Sequence, residues 1–351
     1  MTTLNTGGFT NGTLNLSGTW NFTVSRDDII REAMLNIGKV GEGTVITAGE
    51  TADCARKLNM LVKQWMGKQD FAPGLKMWTR QRADLFLSST QYVYELGPTG
   101  DNWVQANANG TPGYVQTNLT ANLITNEVSV LVAEVSGIAP GYFLVIQLDS
   151  GDIYSTTVQT SMTTSGPGIL TIPLPGMPSG ASMGNYVWCY PVKAQRPLEI
   201  LPTNATVILR DINANDTPMT IMTLQDYENL PTKTMPQYQT DPSAVYYESQ
   251  LNNGYLFIDC SGAQDVTKHL HIVSLRPVMD INNPLDVPEY PQQWFRALCW
   301  GLSKEIAPMF NAVWTKEMDD NRRDSLAMAQ EADAETTSMY FQPGDANPWG
   351  V

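Results

Sequence analysis

The chain has 351 residues, with 35 acidic and 21 basic side chains and a formal net charge of −14, and this length suffices for two or three cores without disulfide or metal staples. That charge excludes a protein that grips nucleic acid by neutralising phosphates, but not one that DNA slides past, because an acidic wall repels phosphate. No run approaches the ~18 consecutive apolar residues of a membrane span, so no membrane partner is expected, and residues 2–9 lack the basic and apolar regions of a secretory signal.

Residues 1–20 are rich in Thr, Gly and Asn with almost no charge, and they predict an extended arm reaching to residue 23. The first helix is expected from Ser25, whose hydroxyl can cap the first turn while Asp27 and Asp28 complement the positive helix end. Ile29, Ile30, Ala33, Met34 and Ile37 then share one face, and Gly38 supplies the stop. Thr47 and Glu50 form a capping box for a second helix, with Ala55, Leu58, Leu61, Val62, Trp65 and Met66 as its apolar stripe.

Beyond Pro73 and Gly74 the period changes to two. Leu85 and Leu87, then Tyr92, Tyr94 and Leu96, predict two strands of a hairpin ending at Gly97 and Pro98. From about residue 104 to 192 charge is sparse, and short Val, Ile, Thr and Ser runs alternate with turns such as those at Pro140, Gly151 and Gly166. This pattern implies a β-sandwich or small barrel of roughly ninety residues, read as an inserted domain. Further strands are expected at 205–210, 244–247, 255–259 and 269–275, with a helical turn near 224–230. Helix returns at Pro291, with the stripe Phe295, Leu298, Cys299, Leu302 and Ile306, and Pro308 disturbs its end. A polar helix is expected from 312 to about 336, followed by a tail carrying Tyr340, Phe341 and Trp349.

The expected fold class is therefore α+β: a helical bundle made from N- and C-terminal helices, a mixed β region and an inserted all-β domain. The domain plan is 1–23 arm, 24–103 first part of the core, 104–192 insertion, 193–336 second part of the core and 337–351 tail.

Local chemistry is sparse. Cys54, Cys189, Cys260 and Cys299 show no C-x-x-C pair and no Cys/His cluster, so they read as small buried residues in a reducing cytosol. His269 and His271, the only histidines, would point to one face of a strand, but the sequence fixes no third ligand for a metal. The run from Asp211 starts like a calcium loop and fails it, because Asp216 stands where Gly is required and Met222 where a bidentate Glu is required; an Asx turn is expected instead. No phosphate-binding glycine loop, dinucleotide fingerprint or nucleophile elbow is present. The expectation is no enzyme, no catalytic residue, no metal and no cofactor. Arg322 and Arg323, within a mixed charge run from Asp319 to Asp324, are candidate interface residues, since mixed charges fix register between subunits. Tyr340, Phe341 and Trp349 are candidate anchors on a neighbour.

The words at 25–33 (Ser-Arg-Asp-Asp-Ile-Ile-Arg-Glu-Ala), Ile37-Gly38, Leu58 to Leu61, Trp65, Leu85 to Leu87, Leu96 to Pro98, Arg196 to Ile200, Asp226-Tyr227, Leu230 to Lys233, Tyr246-Tyr247, Arg276-Pro277 and Ala307 to Phe310 resemble, in order, the head-to-tail adaptor family of tailed phages, also called packaged-DNA stabilisation or head-completion proteins. The resemblance covers roughly residues 23–98 and 195–320 and omits the arm, the block at 104–192 and the tail. It implies a homo-oligomeric ring, commonly of twelve subunits. Such a ring docks on the portal protein at the head-tail interface of the virion and offers a platform to tail nozzle, tube or fibre proteins. Double-stranded DNA would pass through it without specific binding, and the subunit would be made in the host cytoplasm. The alternative is a virion-associated carbohydrate-binding protein that uses Tyr142, Tyr154, Tyr186 or Trp188 in the inserted block.

Overall fold

A computed structural model describes residues 21–41, 43–67, 77–107, 110–161, 165–201, 206–231, 240–260 and 262–333. Helices make up 25 % and strands 26 % of it, in separate stretches of chain, so the fold is α+β. Its contacts divide it into two compact units: residues 1–64 with 279–351, and residues 65–278.

In the first unit, helix α1 (Arg26–Asn36) begins where Ser25 accepts from the Asp28 amide and Asp28 accepts from the Ser25 amide, a reciprocal capping box. Helix α2 (Ala48–Trp65) begins in the same way through Thr47 and Glu50. Its stripe is buried at Ala55, Leu58, Leu61, Val62 and Trp65.

The second unit opens with β1 (Arg80–Phe86), β2 (Val93–Leu96) and β3 (Trp103–Gln105). β4 (Val115–Asn118), β5 (Ser129–Val132), β6 (Phe143–Gln147) and β7 (Ile153–Thr157) follow. Next come β8 (Thr160–Ser161), β9 (Gly168–Thr171), β10 (Tyr186–Tyr190) and β11 (Glu199–Ile200). β12 (Val207–Arg210), β13 (Asp216–Pro218) and β14 (Thr220–Ile221) lead to the short helix α3 (Leu224–Glu228). The unit ends with β15 (Ala244–Glu248), β16 (Gly254–Ile258) and β17 (His269–Leu275).

Four sheets result. The first has the order β13-β12-β17-β1-β3, with β11 also on β17; the second is β14-β15-β16-β2. They share a core that includes Leu85, Leu87, Tyr94, Leu96, Trp103, Val245, Leu256, Leu270 and Ile272. The third sheet is β4-β10-β6-β7 and the fourth β5-β9-β8, around Val130, Val132, Leu144, Ile146, Leu170, Val187 and others. The third sheet is buried on both faces, because Val145, Trp188 and Tyr190 pack instead against Phe86 and Val104 of the first sheet.

The expected hairpin of 85–87 with 92–96 does not form. β1 pairs along its whole length with β17, from Arg80 opposite Leu275 to Phe86 opposite His269, while β2 pairs with β16. The two strands enter different sheets, and the connection between them is closed by the Ser88 amide donating to the Tyr94 hydroxyl at 2.9 Å. Strands stand at the other expected places, and Asp211 closes an Asx turn by accepting from the amides of Asn213 and Asn215. All four cysteines are free and buried.

The first unit is completed by helices α4 (Phe295–Ile306) and α5 (Lys316–Ala332). Phe295, Leu298, Cys299, Leu302 and Ile306 are all buried, and α4 packs against α1 and α5. Small residues permit the close approach to α1: Ser303 Oγ donates to the Ala33 carbonyl at 3.2 Å and accepts from Asn36 Nδ2 at 3.2 Å. Residues 281–286 tie the elements together. Asn59 exchanges two 3.0 Å hydrogen bonds with the Ile281 backbone, and the Arg26 amide donates to the Asp286 carbonyl at 2.8 Å. α5 starts at 316 rather than 312, because Asn311 adopts a left-handed conformation and Thr315 supplies the cap. The arm at 1–20 and the tail beyond 333 lie outside the described residues. No described helix is long and apolar enough to cross a membrane.

Leu298 is fully buried, so Leu298→Ala should cost about 2–5 kcal/mol. Denaturant unfolding followed by circular dichroism checks this through a lower midpoint at unchanged slope.

Candidate functional site

One turn into α5, Asp319 gathers donors from three segments. Lys304 of α4 reaches Oδ1 at 3.3 Å, Trp314 Nε1 at 3.4 Å and Arg322 Nε at 3.3 Å, while Arg323 Nε reaches Oδ2 at 2.9 Å. The two arginines expected at an interface are therefore both turned onto a carboxylate of their own helix, at the i+3 and i+4 positions where such pairs meet. Arg323 nevertheless keeps 69 % of its side chain exposed against 24 % for Arg322, so it can still reach a second anion. Partial burial pushes the Asp319 carboxyl up, but the hydrogen bonds from Lys304, Arg322 and Trp314 outweigh this and hold it down at about 2. At the other end of α5, Asp333 accepts from Gln293 Nε2 at 3.0 Å and from Trp294 Nε1. Tyr340, Phe341 and Trp349 lie outside the described residues.

Close by in sequence, Phe295, Cys299 and Trp300 of α4, Asp28 and Glu32 of α1 and the preceding Phe22 border a cleft of about 630 Å³. Phe22 stays 67 % exposed although its ring meets Phe295 at 6.2 Å. Its lining combines the apolar Phe22, Val24, Phe295 and Cys299 with the acids Asp28 and Glu32 and the base Arg296.

In the strand-rich unit the two histidines have a partner that the sequence reading missed. Asp84 of β1 lies opposite His271 of β17 in register, and His271 Nδ1 donates to Asp84 Oδ1 at 2.7 Å. Both side chains are almost wholly buried, 7 % and 2 % exposed. His269, two residues earlier on the same face, places Nε2 3.9 Å from Asp84 and 3.4 Å from the Tyr114 hydroxyl; its Nδ1 has no hydrogen-bond partner among the described residues. Phe86 and Tyr114 wall the ring at 5.7 and 5.9 Å. Burial pushes the His269 imidazole below its ordinary value; Asp84 opposes this, and Arg210 and His271 reinforce it. No group of three or more His, Cys, Asp or Glu among the described residues is placed to hold a metal. The arrangement ties β1 to β17 across the face they share and packs it against Tyr114. A lone Asp among Ala83, Leu85 and Leu87 was the available signal, since a charge inside an apolar strand run needs a buried partner.

Of the aromatic residues considered for carbohydrate, Trp188 is buried and Tyr142, Tyr154 and Tyr186 are partly buried. Trp188 is 1 % exposed and lies 5.0 Å from Phe86, Tyr186 stacks on Trp188 at 6.0 Å, and Tyr142 and Tyr154 pack on the core between the third and fourth sheets. No protein-family model matches this chain, and no curated protein matches it either.

Two pH effects follow. Because folding holds His269 below its ordinary value near 6.5, the unfolded chain binds that proton more readily. The contribution to stability is full above about 6.5 and is lost as pH falls below it, down to the folded value. The thermal midpoint should therefore fall between pH 7.5 and 5.5, and His269→Phe should flatten the fall. For Asp319 the contribution is full above the ordinary carboxylate value near 3.9 and is lost as pH falls from there to about 2. Asp319→Asn should lower the midpoint at pH 7 and remove that part of the acid transition, read by tryptophan fluorescence.

Proposed function

We propose that this chain is the subunit of an adaptor ring between the portal and the tail of a phage virion. The ring completes the DNA-filled head and continues the DNA exit channel. The observation that carries the reading is the closure of the chain: helices from its two ends, α1 and α2 with α4 and α5, make one compact unit. The strand-rich middle begins and ends side by side, where the Val278 amide donates to Met66 Sδ at 3.2 Å. A ring body of end helices, a helical bundle in this reading, can then carry a large middle without alteration.

Within that middle, residues 104–192 are the insertion. Val104 bridges Lys193, so this excursion too departs and returns at one place, and the shorter adaptors that the chain resembles need no counterpart to it. The words carrying the resemblance fall on elements: residues 25–33 cap and open α1, Leu58, Leu61 and Trp65 lie on the buried stripe of α2, and Ala307 to Phe310 form the turn after α4. The net charge of −14 suits a channel wall that DNA passes without sticking. The partners are the portal, tail proteins and further copies of the chain, and the chain carries out no catalysis. The carbohydrate reading draws no support from Trp188, which is consumed by packing.

The test is co-sedimentation with the purified portal of the same phage. The protein should appear with portal at about one subunit per portal subunit. Folded protein that stays monomeric and never sediments with portal would refute the proposal.

A further inference from the structure

We propose that a pocket at the start of β1 receives an acidic side chain from a second copy of this chain. The pocket, about 380 Å³, is lined by Arg80, Arg82 and Arg276 together with Trp78, Gln105 and Asn107. Its described lining residues include no acid, in a chain where acids outnumber bases 35 to 21.

Arg80 and Arg82 alternate along one strand, so both side chains leave the same face, and both are exposed. Neither has an ion pair among the described residues. The carboxylates that share their face are occupied: Asp84 by His271, and Glu199, aligned with Arg80 through Leu275, by a partner of its own. Ala106 fixes the strand end beside the pocket by donating to the Arg82 carbonyl at 2.9 Å. Two planar guanidinium forks without an internal anion form a receptor for a carboxylate or phosphate.

The acidic chain decides between these. A surface that follows duplex DNA needs a series of phosphate contacts, which the surrounding negative charge opposes. Copies of a chain at −14 also repel one another, so a stable contact between them must set opposite charges together where they meet. The inference rests on the reading that copies of this chain assemble, and it names one surface through which they do so.

The experiment is sedimentation velocity on the full-length protein across a salt series, comparing wild type with Arg80→Glu/Arg82→Glu and with the milder Arg80→Gln/Arg82→Gln, circular dichroism verifying the fold. The wild type should self-associate, more weakly as salt rises, and the glutamate pair should lower the association constant at least tenfold, with the glutamine pair between. Equal association of all three proteins, or a wild type monomeric at every concentration, overturns the proposal. So does a labelled DNA duplex that binds wild type and not the variants while self-association stays unchanged, since the pocket then serves phosphate. Arginine-dependent association without portal binding would refute the adaptor reading alone; identical rings of wild type and variant on portal would refute the pocket alone.

Discussion

The pairing of β1 with β17 is the constraint on which the strand-rich unit depends. It joins the first and last strands of that unit over seven residues, so it closes a long loop of chain, and such closure is costly until many contacts form together. The register is held by chemistry as well as by ladder bonds. Asp84 and His271 meet in a site that is almost dry, and a slip of one residue would send the carboxylate into the apolar layer beside Leu85 and the imidazole beside Leu270. The other strands of the first sheet build outward from this pair: β3 pairs with β1, β11 and β12 pair with β17, and β13 pairs with β12.

The same pair positions the excursion. Phe86, one alternation beyond Asp84, presents its ring to Trp188 and Tyr114, so the third sheet is buried on both faces. Polar contacts reinforce the seam: Asp152 accepts from Ser88 Oγ at 2.7 Å, and the Tyr190 hydroxyl donates to Asn102 Oδ1 at 3.1 Å. A block joined to the sheet only where Trp103 and Val104 meet Lys193 and Ala194 could swing as a free appendage. This one is docked along a face of the first sheet, with Val145, Trp188 and Tyr190 against Phe86 and Val104.

Much of this was legible where the period is regular and the caps are local. Ser25 with Asp28 and Thr47 with Glu50 mark helix starts within four residues of chain, and the Phe295 to Ile306 stripe marks its own buried face. The hairpin expectation failed because alternation reports that a segment is a strand and says nothing of its partner; the partner of β1 lies some 190 positions later. Asp84 escaped notice for the same reason, since its meaning comes from His271 across that pairing. Arg322 and Arg323 were legible as a charge run, yet which carboxylate they satisfy depends on the turn of α5 that brings Asp319 beneath them. Tyr340, Phe341 and Trp349 lie beyond the described residues.

The functional account depends on whether copies of this acidic chain close around an axis. Electron-microscope projections of the full-length protein, alone and with portal, test that most directly. The account predicts end-on views with rotational symmetry around an open centre, sharing the axis of the portal. Single compact particles of one-subunit size at every concentration, with portal present and unoccupied, would contradict it.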